Sequence, residues 1–348
     1  GKTKLDHGMR LVDFNRCGVP LVEMVTEPDL RSGEEAAQYL TQLRQLLRWI
    51  GVSEADMERG HLRCDANVSI RERGSQVLNT KTEIKNVNSI DAVRQAIIEE
   101  TKRQIELVES GGKVVSYTLD WDADTGKLSM MRSKETEADY RYFREPDLLP
   151  VVLTEEQIAS IKAELPELPL ARKARFEADY GLSAYDAEIL TSERGLSDYF
   201  EAAVASFGGE AKTVSNWMMN DLSRLMNDLG KSASELVLTP ALLAQIIRMV
   251  EEGKINAATG KSLLRKVEDS GRAPAEIVEA EGLAVIADSD ALRAQIQAVL
   301  AASPAEVESF RAGKESLLGW FVGQVMRATG GKADPKRTRE ILNELLNK

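Results

Sequence analysis

Cysteine and histidine are nearly absent from this 348-residue chain, which has two residues of each type. Cys17 and Cys64 stand far apart, so the sequence has neither a disulfide framework nor the closely spaced pairs of a structural zinc site. A reducing, cytoplasmic compartment follows as a prediction. His7 and His61 do not stand near Ser, Cys or Asp in a way that singles out a catalytic triad.

Long apolar runs are also missing. No stretch approaches the roughly 18 apolar residues that a membrane span needs, and the chain does not open with a signal peptide. Acidic residues outnumber basic ones by 56 to 45, which gives a formal net charge of −11. This balance argues against a uniformly basic surface that coats nucleic acid or an anionic membrane. We expect no membrane association, and only a local basic patch could serve nucleic acid.

The length of the chain exceeds what one hydrophobic core usually supports, so two or three domains are expected. Residues 1–153 mix strand and helix patterns, whereas the remainder shows helix signals and almost no alternation of period two. We predict an α+β domain over 1–153, an all-helical domain over 154–280 and a small helical tail domain over 281–348. The helix starts at Thr239-Pro240, Ser303-Pro304 and Asp334-Pro335 support the helical part, since Pro fits the first helical position.

Two helices and three strands are predicted in the first domain. Ser32 and Glu35 form a capping box before a helix that ends at Gly51. A second helix covers about 89–109 and stops at Gly111-Gly112. Alternation of apolar and polar residues predicts strands over 62–71, 81–87 and 115–121. An antiparallel sheet with helices on one face is the simplest assembly of these elements.

The first two strands carry charged side chains on their polar faces. If a hairpin turn is centred on Gly74, residues whose numbers sum to 148 lie opposite each other, and Asp65 faces Glu83. Opposed Cβ atoms in a sheet lie about 4.5–5.5 Å apart. Two carboxylates at that range repel each other unless they are paired or bind a cation.

A divalent cation would relieve this repulsion. Asp65 and Glu83 supply the hard oxygen ligands that Mg²⁺ prefers, and three basic residues nearby, Arg63, Lys81 and Lys85, could hold phosphate oxygens. The alternative is a solvated sheet face whose charges pair across the strands, since exposed antiparallel faces are routinely charged. The residues alone leave both interpretations open.

The last stretch of the chain departs from the acidic average. Residues 311–348 contain eight basic and four acidic side chains. Lys332, Lys336, Arg337 and Arg339 cluster at the start of the final helix, whose N-terminal dipole also favours phosphate. The cluster is either a nucleic-acid contact or a solvated helix end.

Several long motifs resemble those of one enzyme family. They are the run 11–29 (LVDFNRCGVPLVEMVTEPD), LRCDAN at 62–67, EIKNVNS at 83–89, DYRYF at 139–143, GQVM at 323–326 and GGKADP at 330–335. Their sequence and order resemble the B subunit of the aspartyl/glutamyl-tRNA amidotransferases. The resemblance extends from end to end of the chain.

This resemblance implies a component of a heterotrimeric enzyme, with A and C subunits, that converts mischarged Glu-tRNA(Gln) or Asp-tRNA(Asn) to the amide form. In that family the B subunit activates the side-chain carboxylate with ATP and Mg²⁺. Ammonia made by the glutaminase, which is the A subunit, then displaces phosphate. The sheet domain is called the cradle and has a fold like glutamine synthetase and guanidino kinases. Acidic metal ligands of the family fall on Asp65 and Glu83 in this sequence.

Further residues are assigned from their positions and not from the resemblance. Asn67, Lys81 and Lys85, at neighbouring strand positions, are expected as substrate or phosphate contacts next to the two carboxylates. The terminal module is expected to contact tRNA through the four basic residues at the start of its last helix. A catalytically silent tRNA-binding scaffold is the alternative function from another class.

The start of the chain differs from the family pattern. Family members carry a further N-terminal stretch with a His and a Glu of the metal site and, in many, a cysteine zinc cluster. Gly1-Lys2 resembles the end of a motif that supplies one of those carboxylates, and Arg144 stands where the family usually has Pro. We therefore expect an N-terminally truncated subunit with an incomplete cradle and weak binding of Mg²⁺.

Overall fold

The computed structural model describes residues 2–15, 18–133, 146–285 and 289–347. The chain divides into two compact units. One consists of Gly1–Arg44 and Ala55–Leu149, and the other of Gln45–Glu54 and Pro150–Lys348. The strands found in the described residues all belong to the first unit, and the second is helical. The fold is therefore mixed α+β, as the sequence predicts.

The first unit begins with a hairpin of two short strands, β1 (Lys2–Asp6) and β2 (Met9–Asp13). Its turn residues His7 and Gly8 both have positive φ angles, 46° and 78°. Two central residues with φ above zero are the type I′ pattern, whose twist matches that of the flanking strands. The residues of β2 are exposed along the whole strand.

Helices α1 (Gly33–Trp49) and α2 (Ile90–Glu109) form where the sequence predicts them. The Ser32 hydroxyl accepts the N–H of Glu35 at 3.1 Å and so caps α1. The Glu35 carboxylate accepts the N–H of Arg31 where a capping box would return to Ser32. Ser89 caps α2 in the same manner by accepting the N–H of Ala92. Local hydrogen bonding thus fixes both starts.

The main sheet has four strands in the order β3 (Cys64–Val68), β4 (Thr82–Val87), β5 (Tyr117–Asp122) and β6 (Lys127–Ser133). The prediction of an antiparallel sheet is wrong, because β4 and β5 run parallel. Helix α2 lies between these two strands in the chain and serves as the crossover connection that a parallel pair requires. The pairs β3–β4 and β5–β6 are antiparallel.

One face of the sheet is apolar and packs with α1 and α2. Ile84 and Val93 are almost fully buried there, and the remaining buried members of this core are Leu40, Ala66, Val68, Val87, Ala92, Ala96 and Trp121. Because side chains alternate along a strand, the residues between these positions point to the opposite face. That opposite face carries the charged residues of the candidate site.

The second unit consists of consecutive helices. They are α3 (Glu155–Glu164), α4 (Pro169–Tyr180), α5 (Ala184–Leu190), α6 (Arg194–Phe207), α7 (Ala211–Trp217), α8 (Ser223–Leu229), α9 (Pro240–Glu251), α10 (Ala257–Ser270), α11 (Pro274–Ala280), α12 (Ser289–Ala301), α13 (Pro304–Arg311), α14 (Leu317–Ala328) and α15 (Pro335–Leu346). A π-helical turn, Met218–Leu222, joins α7 to α8, and a 3₁₀ turn, Ala233–Glu235, precedes α9. The predicted helix starts at Pro240, Pro304 and Pro335 are confirmed.

Two hydrophobic cores occupy the helical unit. The larger one extends from Phe176 to Val278 and contains the fully buried Phe200, Leu243 and Ile247. A smaller core around Phe321 and Leu342 is built by α12 to α15. Within the described parts of the chain, no helix is long and apolar enough to cross a membrane. The boundaries predicted at 153/154 and 280/281 stay predictions.

Candidate active site and basic tail

The pairing of β3 with β4 decides which polar residues meet. Asn67 lies opposite Glu83, Val68 opposite Thr82 and Ala66 opposite Ile84. The predicted register, with Asp65 opposite Glu83, is therefore wrong by two residues. The strands are joined by the long segment 69–81. Gly74, with a φ of +89°, lies in a β-turn closed by the bond from the Ser75 N–H to the Glu72 carbonyl at 3.0 Å, but this turn is separated from both strands and does not set the register as a two-residue hairpin turn would.

The two-residue error leaves every side chain on its predicted face. Side chains alternate with a period of two, so a shift of two preserves the face, whereas a shift of one would invert it. Asp65, Asn67, Glu83 and Lys85 all alternate with the buried residues Ala66, Val68, Thr82 and Ile84. The structure thus places the four polar residues together on the open face.

A β-bulge lies between the Ala66–Ile84 pair and the Cys64–Val87 pair. One residue of β3, Asp65, faces two residues of β4, Lys85 and Asn86. Asn86 has a φ of +61°, a left-handed conformation that Asn tolerates better than most residues. Its side-chain amide donates to Asp120 Oδ1 on β5. Bulges re-aim neighbouring side chains: here Val87, three positions after Ile84, returns to the core face, while Lys85 keeps the open face that alternation gives it.

Lys85 connects the two predicted metal ligands. Its ammonium Nζ lies 3.1 Å from Asp65 Oδ2 and 3.6 Å from Glu83 Oε1. Glu83 is the more enclosed carboxylate, with a side-chain exposure of 16% against 48% for Asp65. Its second oxygen, Oε2, accepts the hydroxyl of Thr118 on β5 at 3.4 Å. Two carboxylates from neighbouring strands therefore converge on one cation.

The other predicted contacts lie at different distances along the ladder. Asn67 is exposed on β3 opposite Glu83. Arg63 directly precedes β3 and Lys81 directly precedes β4, so they stand at opposite ends of this antiparallel pair. Both are exposed, and the described residues include no ion pair from either of them to Asp65 or Glu83. They can contact different parts of one extended ligand, but not the same atom group.

Thr118 and Asp120 are site residues that sequence reasoning missed. They lie beside Glu83 and Lys85, respectively, because β5 pairs with β4 in parallel. The missed signal is the pattern of a strand, a 20-residue helix and a strand, which predicts a crossover and a parallel neighbour. With that pattern recognised, Asp120 would have been placed next to Lys85.

Cys64 lies on the apolar side of β3, packed against the core of the sheet. Burial raises the pKa of its thiol to about 11, with a further contribution from the charge of Asp65. The thiol is therefore protonated at neutral pH, and only the thiolate is a good nucleophile. This is the environment of a core side chain and not of a nucleophile.

The basic residues of the tail lie at the start of α15, as predicted. Asp334 caps the helix by accepting the N–H of Arg337. Lys336, Arg337 and Arg339 are exposed, whereas Lys332 is half-buried. The Arg337 guanidinium pairs with Glu340 at 3.2 Å, and the described residues offer no ion-pair partner to Lys336 or Arg339. These two are the most available cations of the cluster.

Comparison with known proteins connects these two regions to one family. Residues 1–159 match the model of the GatB/GatE catalytic domain, and residues 198–346 match that of the GatB domain. The B subunit of the aspartyl/glutamyl-tRNA(Asn/Gln) amidotransferase of Thermodesulfovibrio yellowstonii is 48% identical over 339 residues. This chain belongs to the family of amidotransferase B subunits.

Other members show the same degree of similarity. The proteins of this name from Crocosphaera subtropica and Synechococcus elongatus are 46% and 47% identical over 337 and 336 residues. These alignments and that with the Thermodesulfovibrio protein cover 97% of this chain, and 68% to 71% of the relatives' lengths. The strands and the bulge of the sheet fall within the match to the catalytic domain of the family.

Several family motifs do not enter this geometry. The 139–143 motif, Arg144 and Cys17 lie outside the described residues. Among the residues that the structure describes, no group of three or more His, Cys, Asp or Glu side chains is arranged to hold a metal ion. Asp65 and Glu83 bring two carboxylates together, and their role as ligands of Mg²⁺ stays a prediction.

Proposed function

We propose that this chain is the ATP-dependent B subunit of an aspartyl/glutamyl-tRNA(Asn/Gln) amidotransferase, a carbon–nitrogen ligase. The convergence of Asp65 and Glu83 on Lys85, on the open face of the sheet that matches the family's catalytic domain, carries the proposal. Hard anionic oxygens next to an ammonium suit a reaction of phosphate groups. The fold proposal attached to it is a cradle like that of glutamine synthetase and guanidino kinases.

The reaction has two steps. The side-chain carboxylate of Glu-tRNA(Gln) or Asp-tRNA(Asn) attacks the γ-phosphorus of ATP, so that an acyl phosphate forms and ADP leaves. Ammonia then adds to the acyl carbon, loses a proton and displaces inorganic phosphate, leaving the amide. Both steps bring several negative oxygens together, and positioned cations stabilise the charge that develops.

Asp65 and Glu83 would hold Mg²⁺, which suits carboxylate oxygens and would supply neutralisation of the phosphate charge. Lys85 would then release the carboxylates and turn to a phosphate oxygen, a move that its flexible stem permits.

The neighbouring residues divide the remaining contacts. Asn67, next to Glu83 across the ladder, can donate to a phosphate or to the substrate carboxylate through its amide. Arg63 and Lys81, at opposite ends of the β3–β4 pair, are proposed to bind separate parts of ATP. Thr118 holds Glu83 in place by donating its hydroxyl.

The helical unit is proposed to serve the tRNA. We propose a helical domain over 154–280 and a tail domain over 281–348 that contacts tRNA phosphates through Lys332, Lys336, Arg337 and Arg339. The name of the relatives as B subunits supports assembly with other subunits, here proposed to be A and C of a heterotrimer. The cytoplasm, where tRNA is charged, is the proposed location.

The test is transamidation by the chain mixed with the A and C subunits, ATP, glutamine and mischarged tRNA. Asp65→Asn should abolish amide formation, because the amide cannot supply the second anionic ligand. Asp124→Asn is the matched control, since Asp124 lies in the exposed turn between β5 and β6. If Asp65→Asn reacts as fast as the control, the sheet face is not the site of activation.

The alternative function, a catalytically silent tRNA-binding scaffold, gives a different result in the same experiment. If the chain is a scaffold, Asp65→Asn and Asp124→Asn should both bind tRNA with the affinity of the parent. Neither the variants nor the parent should then form the amide. The observation that favours this alternative is that Lys85 already pairs with both carboxylates, as in a solvated sheet face whose charges pair with one another.

A further inference from the structure

A buried polar network lies on the opposite face of the sheet from the proposed site. It joins α2 to the last residue pair of the β3–β4 ladder, Val68 and Thr82. Thr82, Glu100 and Gln104 are all fully buried in it. Ionised and amide groups in such surroundings are costly unless they find hydrogen-bond partners, so the partners of these three residues restrict where α2 and the strands can lie.

Glu100 is the centre of the network. Its Oε1 accepts the Thr82 hydroxyl at 2.7 Å and the Gln104 side-chain amide at 2.7 Å. Both of its oxygens also accept from the guanidinium of Arg103, again at 2.7 Å. Arg103 of the same helix thus neutralises the charge of this buried carboxylate. Glu100 Oε1 also accepts a hydrogen bond from Thr82 of β4, which links the helix to the strand.

The network also reaches β3 through one carbonyl. The two hydrogens of Gln104 Nε2 are shared among three acceptors, because this nitrogen also lies 3.0 Å from the carbonyl oxygen of Val68 and 3.0 Å from Thr82 Oγ1. Two residues one turn apart on α2 therefore hold both members of the Val68–Thr82 pair. The pair adjacent to it in the ladder is Asn67–Glu83, which belongs to the proposed site on the other face.

This connection matters because the apolar pattern alone leaves two registers available. A slip of two residues keeps all apolar side chains on the core face, and the long segment 69–81 imposes no turn geometry. In the slipped register Thr82 would face Ala66, away from the Val68 carbonyl. Asp65 would then lie opposite Glu83, where two like charges repel, and Lys85 would lose its place between them.

We propose that Glu100, acting with Gln104 through Thr82, is a positioning residue that selects the register in which Asp65, Glu83 and Lys85 converge. The inference rests on the proposed function only for the use made of that convergence. Glu100 is fully buried on the face opposite the proposed site. It acts by fixing the start of β4, one residue before Glu83.

The register can be read by cross-strand disulfides in the full-length chain, with Cys17→Ser and Cys64→Ala as background. Asn67→Cys with Glu83→Cys reports the observed register, and Asp65→Cys with Glu83→Cys reports the slipped one, because a disulfide needs Cα atoms about 4.4–6.8 Å apart. Both reporter pairs remove the Glu83 charge. The ratio of the two disulfide yields therefore reports how strongly the buried network favours the observed register, with no contribution from repulsion between Asp65 and Glu83.

Thr82→Val and Glu100→Gln are the variants to compare. Thr82→Val keeps the shape of the side chain but removes its bond to Glu100, and we expect the slipped disulfide to gain about five-fold, the effect of one buried hydrogen bond. Thr101→Val is the matched control, because the Thr101 hydroxyl bonds only within α2, to the Ile97 carbonyl at 2.7 Å. Equal ratios in Thr82→Val, Glu100→Gln and the control would overturn the proposal.

Calorimetric titration with Mn²⁺, on chains that keep Asp65 and Glu83, links the register to the site. A slip removes Lys85 from between the two carboxylates and sets them directly opposite each other, so Thr82→Val should change the Mn²⁺ affinity only to the extent that the disulfides show the observed register lost. Thr101→Val should leave the affinity unchanged, and a general loss of stability would not move it below the melting temperature. A variant whose disulfides report mainly the slipped register, and which binds Mn²⁺ as the parent does, would overturn the positioning role. If the parent chain binds no Mn²⁺ while the register shifts, the proposed metal site fails and the selection of register by Glu100 stands.

Discussion

Both units of the chain contain a group of ion pairs between basic side chains and carboxylates, but the two groups differ in their balance of charge. In the helical unit, Arg172 and Arg175 of α4 pair with Glu201 and Asp198 of α6 and with Glu167. Arg194 adds a contact to Asp198 at 3.7 Å. Three guanidinium groups thus match three carboxylates.

The helical network is also enclosed by aromatic rings. The Arg172 guanidinium lies 5.7 Å from the ring centre of Trp49 and 5.8 Å from that of Phe176, and its side chain is only 11% exposed. On the sheet, one lysine serves two carboxylates that are open to solvent on one side. The comparison teaches that a network whose charges balance around a covered guanidinium stabilises a fold, whereas a group with more carboxylates than cations suits a ligand.

The strongest test of this distinction is Glu83→Gln. We expect transamidation to fall by at least about 100-fold, equivalent to about 2.7 kcal/mol of activation free energy, because Glu83 is the more enclosed of the proposed metal ligands. The melting temperature should stay within about 1 °C of the parent, since the site contributes little to folding. The measurement pairs initial rates with thermal unfolding, and a large drop in melting temperature with normal rates would reverse the comparison.

Glu201→Gln should show the opposite behaviour. Burial favours the neutral acid, but bonds from Arg175 and Arg172 outweigh it and lower the pKa of Glu201. Removing the charge leaves two arginines without a shared partner, and we expect the free energy of unfolding to fall by about 2 kcal/mol. Transamidation below the melting temperature should be unchanged.

The same variant makes a prediction about pH. Because the pKa of Glu201 is lower in the folded than in the unfolded chain, its contribution is fully present above the unfolded value of about 4.3. It is lost as the pH falls through the folded value. The difference in unfolding free energy between Glu201→Gln and the parent should therefore shrink as urea titrations move from pH 7 to below pH 4.

Lys85→Met sharpens the sheet side of the comparison, with a smaller effect. The ammonium that lies 3.1 and 3.6 Å from the carboxylates competes with a divalent cation for them. Its removal should tighten Mn²⁺ binding about ten-fold, worth about 1.4 kcal/mol, while transamidation falls because no ammonium remains to hold the phosphate oxygen. Weaker Mn²⁺ binding in calorimetry would show that Lys85 does not compete for this site.

The basic tail gives the smallest expected effect. Removing one cation that binds a phosphate should flatten the dependence of log K on log salt by roughly 0.7–0.9 units. Lys336→Gln combined with Arg339→Gln should therefore reduce the slope for tRNA binding by nearly two units. Arg337→Gln is the informative control and should change the slope less, because Arg337 already pairs with Glu340. An unchanged slope in the double variant would mark a solvated helix end.

The features that the sequence predicts well are determined by interactions between residues that are close together in the chain. The starts of α1 and α2 depend on Ser32 and Ser89, each of which caps a backbone N–H three residues away, and the helix starts at Pro240 and Pro335 are equally local. The face of each polar residue on β3 and β4 follows from alternation. These features need no knowledge of distant contacts.

What the sequence predicts poorly depends on distant partners. The register of β3 on β4 is fixed by contacts across the long segment 69–81 and by Thr82 with Glu100, 18 residues further on. The parallel neighbour β5, and with it Thr118 and Asp120, depends on the path of α2. The family resemblance identified Asp65 and Glu83 as candidate ligands, but it did not give the geometry in which Lys85 joins them.

Asn86 restricts which sequences can carry this arrangement. Its φ of +61° and its bond to Asp120 admit few residues, since most side chains pay about 1 kcal/mol or more in the left-handed region and Gly would lose the bond. Positions 86 and 120 should therefore change together among proteins that keep the bulge. An Asn at position 86 and an Asp at position 120 would therefore identify the arrangement in a distant relative. They would do so even if a sequence alignment matched the lysine and the carboxylates to the wrong positions.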